Sequence, residues 1–585
     1  MTNEANDARL FAPAEPIEVR GWKAELRNDE LADISFNGIP VLRAIRSVVR
    51  DQDWNTLAPT VHRTASRDSE NGTTVLLDID FEGYGSRYTG ELAIHLAADS
   101  LKVTFDGVAP ADFRSNRIGL VVLHRPDDAG RAVAIGSPGG DSTPSNFPTN
   151  ISPHQPFLDI ASMEWERDGT RFALGFSGDV FETEDQRNWT DASFKTYSTP
   201  LSKPFPVNVA AGSRVHQSVL LTAVGSAADA ADPGRATAAG PLKVTVLDDV
   251  AAQVPGLSVS SGSGSVADIT GLDSLVLEVQ AGTSADAAVR DGIRQAGELG
   301  VPLDVRLIVA SAEQIAGLLE LLPLENVVRL AVFDAASHVT EPPLWAGLKA
   351  EAEQRGFAGT LLAGARSHFT ELNRNADRLP AESPALAYSI TPQMHATEVP
   401  HIVETLPIQR LTALNALRIS DGRPLHVGPV TLKARFNAVS TSGSLGDDES
   451  FNDPLQNEPF TAAWLLGSVA ALSVPGVETV SYFEMSGPRG ISDFEGLTPA
   501  GELLAALAPL RGADVLAIDG SVPGLALYPV RDGVETVVFA ANLTPKPLAA
   551  VVLLPGGEDA AGELTLDLEP WTHTIRRVAS QWAAA

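Results

Sequence analysis

The chain has 585 residues, more than one hydrophobic core can organise, so about three domains are expected. Its 74 acidic residues against 43 basic ones give a net charge of −31, which argues against nucleic acid or an anionic membrane as a partner, since both need a basic surface. With no cysteine, disulfides, thiolate metal sites and thiol nucleophiles are excluded. The N-terminus lacks a basic region followed by an apolar one, and no uncharged apolar run reaches about 18 residues, so a cytoplasmic protein is expected.

Residues 17–222 read as β. Segments such as 73–81 (TTVLLDIDF) and 101–105 (LKVTF) alternate apolar with polar and are separated by turn dipeptides, Asn71-Gly72 and Asp106-Gly107. Many short strands over some 200 residues suggest a large β-sandwich. His124 closes an apolar run and His154 lies between two prolines; each reads either as a packed imidazole or as a site residue. The segment 181–197, FETEDQRNWTDASFKTY, stands apart. It sets Trp189, Phe194 and Tyr197 among Glu182, Glu184, Asp185, Arg187, Asp191 and Lys195. The aromatics give it something to bury and the charges then need fixed partners, so it reads either as a corner pinning one domain to another or as the polar wall of a small-molecule site. A low-complexity stretch at 223–240 reads as a linker.

From about 241 strand-like runs alternate with helical patterns. Strands are expected at 242–247, 275–279, 305–310, 327–333, 359–364, 386–390, 425–432 and 478–483, with helices near 284–299, 311–321, 343–355, 399–415 and 458–472. Eight strands over roughly 250 residues fit a (β/α)8 barrel, and no Gly-rich phosphate loop supports an open doubly wound sheet. Short strands return after about 513. The expected fold is therefore multidomain α/β plus β: an N-terminal β-sandwich (1–238), a central (β/α)8 TIM-like barrel (239–510) and a small C-terminal β domain (511–585).

In such a barrel function sits past the C-terminal ends of the strands. That rule selects Glu371, Asn373 and Arg374 after the fifth strand, Gln393 and His395 after the sixth, Arg435 and Asn437 after the seventh, and Glu484 at the end of the eighth. A carboxylate, an imidazole, guanidinium groups and amides at one mouth suit a polar, hydroxylated small molecule. Glu371, His395 and Glu484 are the expected catalytic groups. Asn373, Arg374, Gln393, Arg435 and Asn437 are the expected binding groups, joined by Asp185, Arg187 and Trp189 if the 181–197 segment reaches over the mouth. No GxSxG elbow and no HExxH helix is present, and no metal or other cofactor is expected.

Several stretches resemble the D-apionate lactonase family of bacterial apiose catabolism: RDQDWNT at 50–56, NRIGLVVLH at 116–124, FPTNISPHQPFLDI at 147–160, EDQRNWTDASFKTY at 184–197, FTELNR at 369–374, YSITPQMHA at 388–396, VTLKARFN at 430–437 and SYFEMSGPRGI at 481–491. The resemblance implies hydrolysis of D-apionolactone to D-apionate and the sandwich, barrel and β-tail order read above. GARSHF at 364–369 and HATE at 395–398 depart from the family's pattern, which leaves open another furanose-derived substrate. The barrel also resembles that of clan-A glycoside hydrolases, but Thr431-Leu432 follows the seventh strand where those enzymes carry a nucleophilic Glu, and only Asp334 and Glu341 lie near the fourth.

Lactone hydrolysis needs an activated water, an oxyanion donor and a proton for the departing ring oxygen. Glu371 or His395 could act as base, Arg435, Asn373 or His395 could stabilise the oxyanion, and Glu484, if burial raises its pKa, could serve the leaving oxygen. The expected partner is a small sugar lactone. A glycoside hydrolase acting on an apiose- or arabinose-like furanoside is the alternative, with a carbohydrate-binding scaffold as the non-enzymatic one. Homo-oligomerisation is left open.

Overall fold

The computed structural model of the chain describes residues 2–224, 242–446, 448–555 and 562–579. Among them, the N-terminal part is two nine-stranded antiparallel sheets packed as a sandwich. One sheet runs from strand Glu15–Val19 through Ile39–Asp51 and Phe113–His124 to Phe157–Ile160; the other runs from Ser142–Asn146 through Arg214–Val224 to Ala58–Ser69. The alternation read in the sequence is the cause. In strand Ser86–Leu96, Tyr88, Leu92, Ile94 and Leu96 turn into the shared core, where they meet Phe81 and Phe105, while Arg87 and Glu91 face water. Each large apolar side chain so buried contributes roughly 1.5–3 kcal/mol. Of the expected linker, residues 223 and 224 end a sandwich strand and 225–240 lie outside the described residues.

The barrel closes with eight parallel strands: β1 (Gly256–Ser260), β2 (Leu275–Gln280), β3 (Leu303–Val309), β4 (Val327–Asp334), β5 (Thr360–His368), β6 (Ala385–Ile390), β7 (Leu425–Val430) and β8 (Val477–Glu484). Seven stand where the sequence put them. The first does not. Residues 242–247 belong to strand Leu242–Gln253, which pairs with Asp514–Asp519 and Leu548–Leu554 in a separate seven-stranded sheet. The physical reason lies in its burial: Val244 and Val246 are covered and their neighbours are not, a one-sided pattern, whereas β3 is buried at every position between barrel interior and helices. The true β1, GLSVS, is poor in bulky residues because it is crowded. Ser258 hydrogen-bonds Ser274 inside the barrel at 2.9 Å, and a Cβ on Gly256 would lie 3.1 Å from Asp273.

Helices Ala285–Leu299, Glu313–Leu319, Pro342–Gln354 and Pro459–Leu472 match expectation, and the one near 399–415 is two, Val399–Glu404 and Leu406–Ile419. Three short helices were not expected, Thr2–Leu10, Phe369–Arg374 and Pro499–Leu507. The helix Pro459–Leu472 is apolar on all sides because it lies between the barrel and the terminal sheet, whose Trp571 meets Phe460 edge-on at 5.4 Å. The N-terminal helix Thr2–Leu10 is tied to the same region: Arg9 pairs with Asp453 at 2.8 Å, and the carbonyl of Leu10 accepts a hydrogen bond from Trp571. No helix among the described residues is long and apolar enough to cross a membrane.

The sandwich meets the barrel through residues 181–197, which form strand Phe181–Asp185, the tight turn Gln186–Trp189 and strand Phe194–Tyr197. The turn is buried throughout. Arg187 pairs with Asp185 through two nitrogens at 2.7 and 2.8 Å, donates to the carbonyl of Pro148 at 2.8 Å and stacks 4.3 Å from the ring of Phe194. The adjacent Asn188 presents its carbonyl to Thr370 and its side-chain oxygen to Asn373, both at 2.8 Å, on the barrel helix Phe369–Arg374.

Asp185 and Arg187 are 0% and 1% exposed, so removing one charge leaves the other buried without a partner. Asp185→Ala is expected to lose about 3–5 kcal/mol in urea unfolding, the cost typical of breaking a buried pair. A loss below about 1 kcal/mol would show that the pair does not hold the turn.

Candidate active site

A cavity of about 1240 Å³ lies between the sandwich and the C-terminal face of the barrel. The sandwich contributes strand Ile39–Asp51 with the loop after it and the 181–197 segment. The barrel contributes the loops after β6 and β7.

At the centre of one wall Asp191 and His395 meet, Oδ2 to Nδ1, at 2.7 Å. Asp191 follows the tight turn. His395 is carried by the loop after β6, fixed to the sandwich where Thr190 Oγ1 donates to the carbonyl of Thr391 at 3.0 Å. The carboxylate holds the proton on Nδ1, and Nε2 has no protein hydrogen-bond partner among the described residues. Burial pushes the imidazole pKa below its ordinary value; Asp191 opposes this, while the positive charges of Lys195 and Arg50 add to it. The ring is therefore neutral near pH 7, with a lone pair on Nε2.

Trp189 lies edge-on to His395 with ring centres 5.9 Å apart, and its indole N–H donates to Glu184 at 2.9 Å. Glu184 also holds Lys195 Nζ at 2.6 Å and faces Arg374 at 3.7 Å. Burial alone would raise this carboxyl, but Lys195 and Arg374, joined by His395 once that ring is protonated at low pH, hold it well below the usual carboxylate range. Glu184 stays ionised and serves as an anchor for a cation and an indole, not as an acid. Arg50, on the same cavity, donates to the carbonyl of Trp54 at 2.6 Å.

The structure divides the residues expected from the sequence into three groups. Trp189, Arg374, Gln393, His395 and Asn437 line the cavity. Glu371, Asn373, Asp185 and Arg187 do not. Glu371 accepts hydrogen bonds from Ser367 Oγ at 2.7 Å and the His368 N–H at 2.9 Å, so its carboxylate caps helix Phe369–Arg374. Asn373 is spent on Asn188 and on the carbonyl of Ile151. Asp185 and Arg187 are consumed by each other inside the interface. Glu371, Asn373, Asp185 and Arg187, expected in the site, thus lie in structural contacts away from the cavity.

Arg435 and Glu484 form the third group, in the barrel mouth itself. Arg435 pairs with Glu278 at the end of β2 at 2.8 Å, Arg366 pairs with the same carboxylate at 3.1 Å, and Glu484 pairs with Arg489 at 2.8 Å. Burial would raise Glu278, yet Arg435, Arg366 and Arg306 bring it down to about 2. Expecting one cleft holding Glu371, His395, Arg435 and Glu484 is corrected here: all four lie toward the strand C-termini, but only His395 faces the cavity. Of the two sandwich histidines singled out in the sequence, His124 is a core imidazole bonded to Thr196 at 2.8 Å and pushed down by burial to about 3, and His154 is exposed.

Asp191, Glu184, Lys195 and Arg50 were not among the residues expected in the site. The first three stood within the charged aromatic segment, which was the signal, but their partners lie elsewhere in the chain. Among the described residues no group of three or more His, Asp or Glu side chains is arranged to hold a metal ion.

Fold and cavity define a sandwich–barrel protein with a cleft where the two domains meet, lined by charged, amide and aromatic side chains. The chain belongs to the D-apionate lactonase family: residues 3–226 match that family's N-terminal domain and residues 270–512 its TIM barrel domain. The D-apionate lactonase of Brucella anthropi is 26% identical over 569 residues, covering 89% of this chain and 91% of its own. Among solved structures, the α-L-arabinofuranosidase of Thermotoga maritima is 9% identical with a TM-score of 0.41, over 58% of this chain and 98% of its own. A β-arabinopyranosidase is 10% identical with a TM-score of 0.30, over 96% and 99%. Likeness this slight has no bearing on function.

With His395 as a general base that works in its neutral form, activity is expected to show an acid limb. Because burial lowers its pKa from the ordinary 6.5, activity is retained above a midpoint below that value and lost as pH falls through it. Asp191→Asn removes the anion that favours imidazolium, so the midpoint of kcat/KM against pH is expected to move lower still. An unmoved or raised midpoint contradicts the pairing.

Proposed function

We propose that the protein hydrolyses a sugar lactone, D-apionolactone to D-apionate, in the cavity between sandwich and barrel. The observation that carries this reading is the Asp191–His395 pair on the cavity wall, and the family and the name of the Brucella relative supply the substrate.

In this reading His395 Nε2 takes a proton from a water as its oxygen adds to the lactone carbonyl. Asp191, a positioning residue, keeps the ring in the right tautomer and offsets the charge it gains. The carbonyl oxygen becomes an oxyanion facing Lys195 and Arg50, cations already fixed by Glu184 and by the Trp54 carbonyl, so little reorganisation is needed. The ring C–O bond then breaks and the proton on Nε2 passes to the departing oxygen. One water is consumed, and the hydroxy acid releases its own proton near neutral pH. Arg374, Gln393 and Trp189 bind the hydroxylated ring, while the Asn437 amide, held between the Asp53 carbonyl and the Val439 N–H, shapes the wall. In place of the boundaries read from sequence, the catalytic barrel takes residues 256–510, and strand Leu242–Gln253 counts with the terminal domain. The protein acts in the cytoplasm.

The glycosidase alternative is weaker on chemical grounds. A retaining mechanism needs one carboxyl that can donate a proton and a second free to attack. In the barrel mouth Glu278 is held ionised by three arginines, Glu484 is paired with Arg489, and Thr431 stands where a nucleophile would follow β7.

His395→Gln is expected to lower the rate of acid release from D-apionolactone, corrected for spontaneous opening, by at least about 100-fold, while Glu371→Gln stays within a few-fold of the parent. Full activity in His395→Gln, or aglycone release from an aryl furanoside with no lactone opening, refutes the proposal.

A further inference from the structure

The cavity is larger than its proposed substrate requires. Pockets of about 300–1,000 Å³ hold drug-sized ligands, and a single five-carbon lactone would occupy a small part of 1240 Å³. Beyond Arg50 the sandwich loop 51–56 carries the wall outward, and the chemistry at His395 uses only its Trp54 carbonyl, which holds Arg50.

This loop is built with care. Asp51 accepts the backbone N–H groups of Asp53 and Asn55, each at 2.8 Å, and the Asn55 amide at 2.9 Å. The barrel loop after β7 clasps it from the other side: Asn437 donates to the Asp53 carbonyl at 2.9 Å, and the Ser442 N–H donates to the Asp53 carboxylate at 2.8 Å. Held from both domains, Trp54 adopts φ +67°, a left-handed conformation that is costly for a bulky residue and persists only where its surroundings enforce it.

The indole so presented meets Phe205 edge-on at 5.2 Å, and the Arg117 guanidinium lies 5.4 Å from one ring and 5.0 Å from the other. Tyr84, 62% exposed, lines the same cavity. Aromatic faces beside fixed polar groups suit a sugar ring, whose C–H face packs on the rings while its hydroxyls meet the polar groups. The platform adjoins the proposed chemistry, because Arg50 touches the Trp54 carbonyl and its charge acts on Asp191 and His395.

We propose that Trp54, Phe205, Tyr84 and Arg117 form a second sugar-ring subsite, so that this chain's preferred substrate is a lactone bearing a further glycosyl residue. The proposal rests on the lactonase reading, with the lactone at His395 and the second ring on the platform. No new bond chemistry is involved; the same ester opens and the glycosidic bond stays intact.

The test compares kcat/KM for D-apionolactone and for the same lactone carrying one xylosyl group, in the parent protein and in Trp54→Ala and Phe205→Ala. The parent is expected to favour the glycosylated lactone by at least about tenfold, and each variant to bring that ratio within about twofold of one. The ratio cancels a general loss of activity, and Phe205→Ala guards against disturbance of Arg50 through Trp54. A second arm needs no turnover: calorimetric titration of the parent with xylobiose and with xylose is expected to give binding at least about tenfold tighter for the disaccharide, lost in Phe205→Ala. A parent ratio near one, or variants that keep the ratio, overturns the subsite. If neither lactone opens, the lactonase reading fails by itself, and the titration alone decides whether a second ring is held.

Discussion

The site depends on the seating of one tight turn of the sandwich, residues 185–191, on the face of the barrel. That seating is enforced from within. The Asp185–Arg187 pair is removed from water, and such a pair is stable only when its remaining donors are satisfied. Here they are, by the carbonyls of Pro148, Thr149 and Asn150 and by the ring of Phe194. With the turn rigid, Asn188 and Thr190 can bind specific barrel atoms, and Asp191 is delivered to His395 from another domain. Moving either domain by an ångström or two would open a 2.7 Å contact, so interface packing and the proposed chemistry are one constraint.

A consequence is that the pair proposed to react lies on the sandwich side of the barrel rim. The mouth is filled by Glu278, Arg366 and Arg435 with Phe436 stacked 4.1 Å from the Arg366 guanidinium, and deeper in, Arg306 and Arg329 are bound to Asp304. These ions satisfy one another and leave little room for a substrate. Space and unspent polar atoms lie where the barrel rim faces the sandwich. The cavity keeps to the strand C-termini, where barrels of this kind gather function, but the sandwich supplies much of its lining.

This also explains what could be read from the chain alone. Seven barrel strands were legible because continuous apolar runs leave few alternatives, and the 181–197 segment announced its burial through three aromatics among charges. The strand 242–253 was misread because VTV looks the same in a barrel and in a half-exposed sheet; only its neighbours differ. Glu371 looked catalytic because a helix cap and a strand-end acid occupy the same place in sequence. The place of His395 on the cavity wall was legible from its position after β6. Its partner was not, since Asp191 lies 204 residues earlier and their meeting is a fact of domain docking.

The most direct test of the central claim is a double-mutant cycle on that pair. kcat/KM for lactone opening would be measured for the parent, Asp191→Asn, His395→Gln and the double variant. If Asp191 acts through His395, the double variant is expected to be no more than about threefold worse than His395→Gln alone, because a positioning residue has nothing left to position. Losses that multiply independently, or a His395→Gln protein with parental activity, would contradict the account.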